Sequence, residues 1–207
     1  MSLVPMVLER EGNSERSFDL FSKMLKDRII FVQGQVEDSM ANLIVSQLLY
    51  LEAESPNEPI IMYINSPGGS ITAGMAIKST MDYISCPVYT VGMGMCASMG
   101  AFLLASGEKG HRAVLKDTCV MIHQPLGGFQ GQATDIEIHA KRILKMKETL
   151  TKYLSEYTDG RVSYEEMYDL CERDNFLSDE EALELGLIDK IYNTRNDIIE
   201  RKTSWEV

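Results

Sequence analysis

PIIMYINSPGGSITAGMAIKSTMDYISCPVYTVGM, residues 59–93, decides the fold. Residues 59–65 are apolar almost throughout, with no alternation, which is how a strand buried on both faces reads. Ser66-Pro67-Gly68-Gly69-Ser70 then breaks the run as a turn. A helix is predicted from about Thr72 to Ile84, and residues 87–93 form another apolar strand. Strand, turn, helix, strand is the unit in which a helix crosses back over a parallel sheet.

The same alternation extends in both directions. Upstream, residues 28–32 (RIIFV) are a strand. Asp38 or Ser39 can cap a helix running to about Glu54, with Leu43, Val45, Leu48 and Leu49 available for burial. Downstream, a helix from Ser98 to about Ser106 is stopped by Gly107, and residues 119–122 (CVMI) make a further strand. Residues 132–158 contain no Gly or Pro and carry apolar side chains at Ile136, Ala140, Ile143, Leu150 and Leu154. A helix of that length extends roughly 40 Å, more than a small domain needs to cover its own sheet. It is either a long surface helix or a projecting element that packs on another subunit. Helices at 163–172 and 178–185 follow, the second opened by the capping-box pair Ser178 and Glu181. A strand at 188–192 closes the fold. Three segments result: an N-terminal arm or hairpin over residues 1–15, an α/β body over 16–192, and a polar tail over 193–207.

Composition bounds the function. The 207 residues are 44% hydrophobic and 25% charged, enough apolar material for a core and too much for a disordered chain. Twenty Lys and Arg against 31 Asp and Glu leave a formal charge of -11, which argues against general nucleic-acid binding. No apolar run is long enough to span a membrane. The opening MSLVPMVL contains Pro5 and lacks a basic region, so it does not read as a secretory signal. Cys86, Cys96, Cys119 and Cys171 form no CxxC pair, and no metal is expected. Sparse cysteines suit a reducing cytoplasm.

Two turns and one histidine carry candidate chemistry. In GMGMCASMGA, residues 92–101, Ser98 stands between a buried strand and a helix start, among small residues. A strand end delivers a side chain to the rim where α/β proteins bind ligands, and the helix start supplies free N–H groups. Ser98 is either a nucleophile, on the logic of a nucleophile elbow, or an N-cap. The 66–70 turn is either a loop whose amides approach a ligand or a plain tight turn. Of the three histidines, His111 lies in a polar turn and His139 in the long helix. His123 follows the 119–122 strand and precedes Gln124-Pro125-Leu126-Gly127-Gly128, on the same rim as Ser98. It is either a base or a satisfied core histidine. Spacing selects no orienting carboxylate from the 31 acids.

Several blocks, in order along nearly the whole chain, are similar to the proteolytic subunits of the Clp proteases: SERSFDLFSKMLKDRIIF, YINSPGGSITAGMAI, GMCASMGAFLLASGEKGHR, MIHQPLGGFQGQATDIEIHAKRIL and ERDNFLSDEEALELGLIDKI. The resemblance implies a crotonase-like α/β unit with residues 132–158 as a protruding handle. It implies a serine endopeptidase with Ser98 as nucleophile, His123 as general base, Asp174 as triad aspartate, and the Gly69 and Met99 N–H groups as oxyanion hole. Gly68, Ser70, Leu126 and Gly127 would bind the substrate main chain. Family members stack as two seven-membered rings around their active sites and take peptides and unfolded proteins of broad sequence. AAA+ unfoldases dock on the ring faces and use the ATP; the proteolytic subunit itself needs no cofactor. Leu49, Tyr63 and Tyr83 would belong to the docking pockets, and residues 3–15 to loops at the axial opening. Cys96 occupies a position where the family also uses alanine. Two other readings compete. One is a crotonase-like acyl-CoA hydratase or hydrolase, which would not need Ser98, His123 and Asp174 as a set. The other is a non-catalytic subunit of the same shell.

Overall fold

The computed structural model of the chain describes residues 4–11 and 14–194. Most of the tail, 195–207, and the ends of the arm, 1–3 and 12–13, lie outside the described residues. A hairpin opens the fold: strand β1, Met6–Glu11, pairs antiparallel with β2, Ser14–Asp19. Helix α1, Leu20–Lys26, follows and is N-capped by Asp19, which accepts from the Ser22 N–H. The hairpin thus continues four residues past position 15. Lys23 reaches back to Glu9 at 3.0 Å and ties α1 to β1.

A seven-stranded sheet forms the body. Strands β3 (Ile29–Gln33), β4 (Ile60–Ser66), β5 (Val88–Ala97), β6 (Arg112–Leu115) and β9 (Lys190–Tyr192) follow in that order, all parallel. Strand β7 (Cys119–Ile122) pairs parallel with the far end of β5. Strand β8 (Asn175–Leu177) adds antiparallel to β7. The α/β architecture and the mostly parallel sheet agree with the sequence reading. Strands β6 and β8 do not appear in that reading; at four and three residues they carry too little pattern to stand out from the polar segments beside them.

Alternation along β4 separates the two sheet faces. Ile60, Met62 and Ile64 are buried in the main core with Ile44 and Leu48 of helix α2 (Asp38–Glu54) and Ile77 of α3 (Ile71–Tyr83). Ile61 and Tyr63 point the other way and join Val91, Ala113, Leu115 and Tyr192 in a smaller cluster. Two sequence expectations about α2 need correction. Its N-cap is Glu37, with no side-chain cap bond, rather than Asp38 or Ser39. Its buried stripe is Ala41, Ile44, Leu48 and Leu51, whereas Leu43 and Leu49 are exposed. The i, i+3, i+4 spacing fits both stripes, and only contact with α3 and the sheet selects one.

Helix α4, Met99–Ala105, is buried along its whole length. Helix α5, Ala133–Tyr157, has 25 residues and therefore extends about 37 Å. Its buried residues, Lys147, Thr151 and Leu154, all lie in its C-terminal half. Ile136, Ile138 and Leu144, nearer its start, are exposed, so that half projects from the body. Helices α6 (Tyr164–Leu170) and α7 (Asp179–Leu185) both open with capping boxes, from Ser163 and Ser178. No helix among the described residues is long and apolar enough to cross a membrane.

Candidate active site

Strand β5 changes partners partway along. Up to Gly92 it lies between β4 and β6; from Met95 to Ala97 it pairs with β7 in place of β6, and Cys96 still pairs with Ser66 of β4. Gly94 makes the bend at φ +68, in the left-handed region that glycine enters without strain. The predicted strand ends at Met93 because the sequence shows that bend as a break. Past it the strand carries Ser98 to the sheet's carboxyl rim.

Ser98 has φ 54 and ψ -118, unusual for a residue with a Cβ. Two main-chain bonds hold it there: its N–H donates to Met121 O at 2.8 Å, and its carbonyl accepts from the Phe102 N–H at 3.0 Å. Although Ser98 occupies the N-cap position of α4, its side chain makes no cap bond. The hydroxyl instead lies 2.9 Å from His123 Nε2. His123 Nδ1 lies 2.9 Å from Asp174 Oδ1. A carboxylate only accepts, so it fixes the proton on Nδ1 and leaves Nε2 to accept from the serine hydroxyl. Ser98 and His123 directly follow β5 and β7, Asp174 lies in the α6–β8 connection, and the structure brings all three together. The Asp174 side chain is 62% exposed in the single chain. Its effect on the imidazole is therefore orientation through a hydrogen bond more than a field in a dry interior.

Cys96, two residues before Ser98, is the nearest alternative nucleophile. It is fully buried, and burial pushes its thiol up to about 12. A thiol so placed stays protonated and inert at neutral pH.

The 66–70 turn packs directly against the elbow. A Cβ on Gly68 would meet Ser98 Cβ at 2.6 Å and Ala97 O at 2.7 Å, so only glycine fits. Buried Ser66 anchors the turn through Gly34 O at 2.6 Å. The Gly68 N–H donates to Ser66 Oγ, and the Ser70 N–H donates to Val36 O. The Gly68 and Ser70 N–H groups are thus already engaged within the protein. Ser70 also caps α3, accepting from the Ala73 N–H. These bonds hold Gly69 between them. Among the described residues, neither the Gly69 N–H nor the Met99 N–H donates to another group. Met99 is the first residue of α4, where a free N–H is inherent to the helix.

A cavity of about 230 Å³ is lined by Gly69, Ser98, Met99 and His123 on its polar side. Ile71, Phe102, Ile122, Leu150 and Leu154 line its apolar side. The apolar liners are residues that sequence reading missed as site residues. They come from four different elements, and periodicity marks them only as core. Leu126 is exposed at the rim, and Gly127 packs on Ile143 of α5, where a Cβ would approach Ile143 Cδ1 to 2.9 Å. Leu49 and Tyr83 lie exposed on α2 and α3, whereas Tyr63 belongs to the opposite face of the sheet. One chain does not gather these three into one pocket.

Three further residues brace the site, and no motif announces them. Lys147 of α5 donates to Glu172 Oε2 at 2.7 Å, and its ammonium lies 3.8 Å from the centre of the Tyr168 ring. That ammonium holds the Glu172 carboxyl below its ordinary range. Gln124, next to His123, donates to the Glu172 carbonyl at 2.6 Å. Among the described residues, no cluster of three or more His, Cys, Asp or Glu side chains is arranged to hold a metal ion.

A hydroxyl hydrogen-bonded to an imidazole, an imidazole oriented by a carboxylate, and two free amides beside the hydroxyl can perform acyl transfer. A family model described as Clp protease matches residues 12–195.

Proposed function

Because this chain belongs to the Clp protease family and is a Clp-type peptidase, we propose that it is a serine endopeptidase whose nucleophile is Ser98. The observation that carries this is the unbroken chain from Ser98 Oγ through His123 to Asp174, each link 2.9 Å long. Ser98 Oγ attacks the scissile carbonyl while His123 Nε2 takes its proton. The imidazolium then gives that proton to the leaving amine, and an acyl-enzyme remains on Ser98. Water repeats the sequence to release the second product. The Gly69 and Met99 N–H groups receive the oxyanion; one such donor is typically worth about 10²–10³ in rate.

The apolar side of the cavity fits an apolar side chain just before the cleaved bond. A substrate lying extended past Leu126 and Gly127 would be held through its main chain, which reads no sequence. Cleavage after several apolar residues, with broad tolerance elsewhere, follows. The exposed apolar start of α5 supports a handle that packs on other copies of the chain, enclosing the sites in a stacked-ring chamber. The hairpin fits a guard at its opening, with Met6 and Leu8 exposed. Folded proteins would then need an ATP-driven AAA+ unfoldase, docked where neighbouring copies together contribute Leu49, Tyr63 and Tyr83.

Ser98→Ala tests the assignment. The hydroxyl caps nothing, so the fold and melting temperature should hold while kcat for a short peptide falls by about 10⁴ or more. Near-normal turnover by folded Ser98→Ala protein would overturn it.

A further inference from the structure

Lys147 is an odd residue to bury. Its side chain is 9% exposed, on the one stretch of α5 that packs against the body. A lysine is almost never placed so unless a partner holds its charge. Its partner, Glu172, stands two residues before Asp174 and makes two ties that point in different directions. The carboxylate reaches α5 through Lys147, and the carbonyl accepts from Gln124, the neighbour of His123. On the far side of Asp174, Asn175 Nδ2 donates to Leu170 O at 3.2 Å and closes the turn. The segment carrying the exposed Asp174 is therefore held at both ends, and one of those ties runs to the strand end carrying His123.

We infer that Lys147, acting through Glu172, is a positioning residue that sets Asp174 and His123 in register with each other. This rests on the assignment of Ser98, His123 and Asp174 made above. Lys147 is not among the residues that line the cavity. Its ammonium fixes the Glu172 side chain, Glu172 fixes the main chain leading into Asp174, and the Glu172 carbonyl holds Gln124 and with it the loop after β7. A tie that served only to pack α5 on α6 would need the Tyr168 contact and the carboxylate, but not the Gln124 bond. A rigid shift of α5 would be passed to the triad along the same path.

The test uses the full-length protein, a short fluorogenic peptide, and wild-type labelling by a fluorophosphonate. Lys147→Met keeps the length and apolar stem of the side chain and removes the charge. It should lower kcat about 10- to 100-fold, the scale of a misplacement near 1 Å, while KM stays within about twofold. Glu172→Gln should do the same, and the two together should cost no more than either alone. The exchanged pair Lys147→Glu with Glu172→Lys should recover part of the loss. Lys152→Met, which removes an exposed ion pair with Glu156 on the same helix, should change nothing. Gln124→Leu breaks the second tie and leaves the α5 packing alone; because Gln124 also lines the cavity, it decides the matter, if the Lys147 variants fail to fold or assemble, by a fall in kcat with KM kept within about twofold. Unchanged kcat in folded Lys147→Met or Gln124→Leu protein overturns the inference, as does additive loss in the double variant. Failure of wild-type Ser98 to take the label overturns the underlying assignment instead.

Discussion

Ser98 holds a backbone conformation that costs a residue with a Cβ of order 1–3 kcal/mol, and the Met121 and Phe102 hydrogen bonds hold it in place. The strain aims the hydroxyl away from its own helix and toward His123. Gly68 is the counterpart across the turn, with φ +90 and no room for a side chain. Gly68→Ala should therefore push the 66–70 turn off the elbow, displacing the Gly69 N–H from the oxyanion position. We expect kcat to fall about 10²-fold with a smaller change in KM, measured on a short peptide alongside thermal unfolding. Full activity in Gly68→Ala would mean the turn has no part in catalysis. At this scale the sequence shows which residues are eligible, not which are used. His123 stands out because it directly follows an apolar strand, and Ser98 because it lies between a strand and a helix start among small residues. Asp174 does not, because its partner lies 51 positions away and only the pairing of β7 with β8 brings them together. Lys147, Glu172 and Gln124 are hidden for the same reason.

Between elements, one buried ion pair ties the sheet to three helical segments. Arg112 of β6 makes three bonds to the Asp189 carboxylate, two from the guanidinium at 2.9 and 2.7 Å and one from its main-chain N–H at 3.0 Å, and its guanidinium also donates to the carbonyls of Ala105 and Tyr157 at the ends of α4 and α5. Asp189 leads into β9 just after α7. Burial pushes the Asp189 carboxyl up, but the Arg112 bonds outweigh it and the net shift is downward. A carboxylate with a depressed folded-state value stabilises the fold above its unfolded value, near 4, and that stabilisation fades as pH falls through the folded value. Asp189→Ala should lose about 3–5 kcal/mol by leaving the guanidinium unpaired, read by urea unfolding at pH 7. The gap between wild type and variant should narrow as pH drops below 4. A gap that is constant with pH would mean the pair is not what holds these elements. Long elements were the most legible in the sequence: α5 for its lack of Gly and Pro, β4 for its unbroken apolar run. The buried stripe of α2 was misread because helical spacing alone permits two stripes, and β6 was missed because four residues beside charged turns carry no period.

Among the described residues, large apolar side chains stand exposed at the start of α5 (Ile136, Ile138, Leu144), on the hairpin (Met6, Leu8), and on α2 and α3 (Leu43, Leu49, Tyr83). The closed assembly with gated access proposed above would cover the first two, and the proposed docking surface the third. Unfolding a stable protein typically costs about 5–15 kcal/mol, which a narrow opening does not supply. The protein alone should cleave short fluorogenic peptides without nucleotide, and should digest a stable folded reporter only with a cognate AAA+ unfoldase and ATP. Rapid digestion of that reporter by the protein alone would remove the chamber from the account while leaving the chemistry intact. The chemistry has a more direct test, in which the protein is reacted with a fluorophosphonate, digested and mapped by mass spectrometry, alongside His123→Ala and Asp174→Asn. The account predicts one adduct, on Ser98, formed quickly in the parent and slowed by orders of magnitude in both variants. An adduct on another residue, or labelling of Ser98 indifferent to loss of His123, would contradict it.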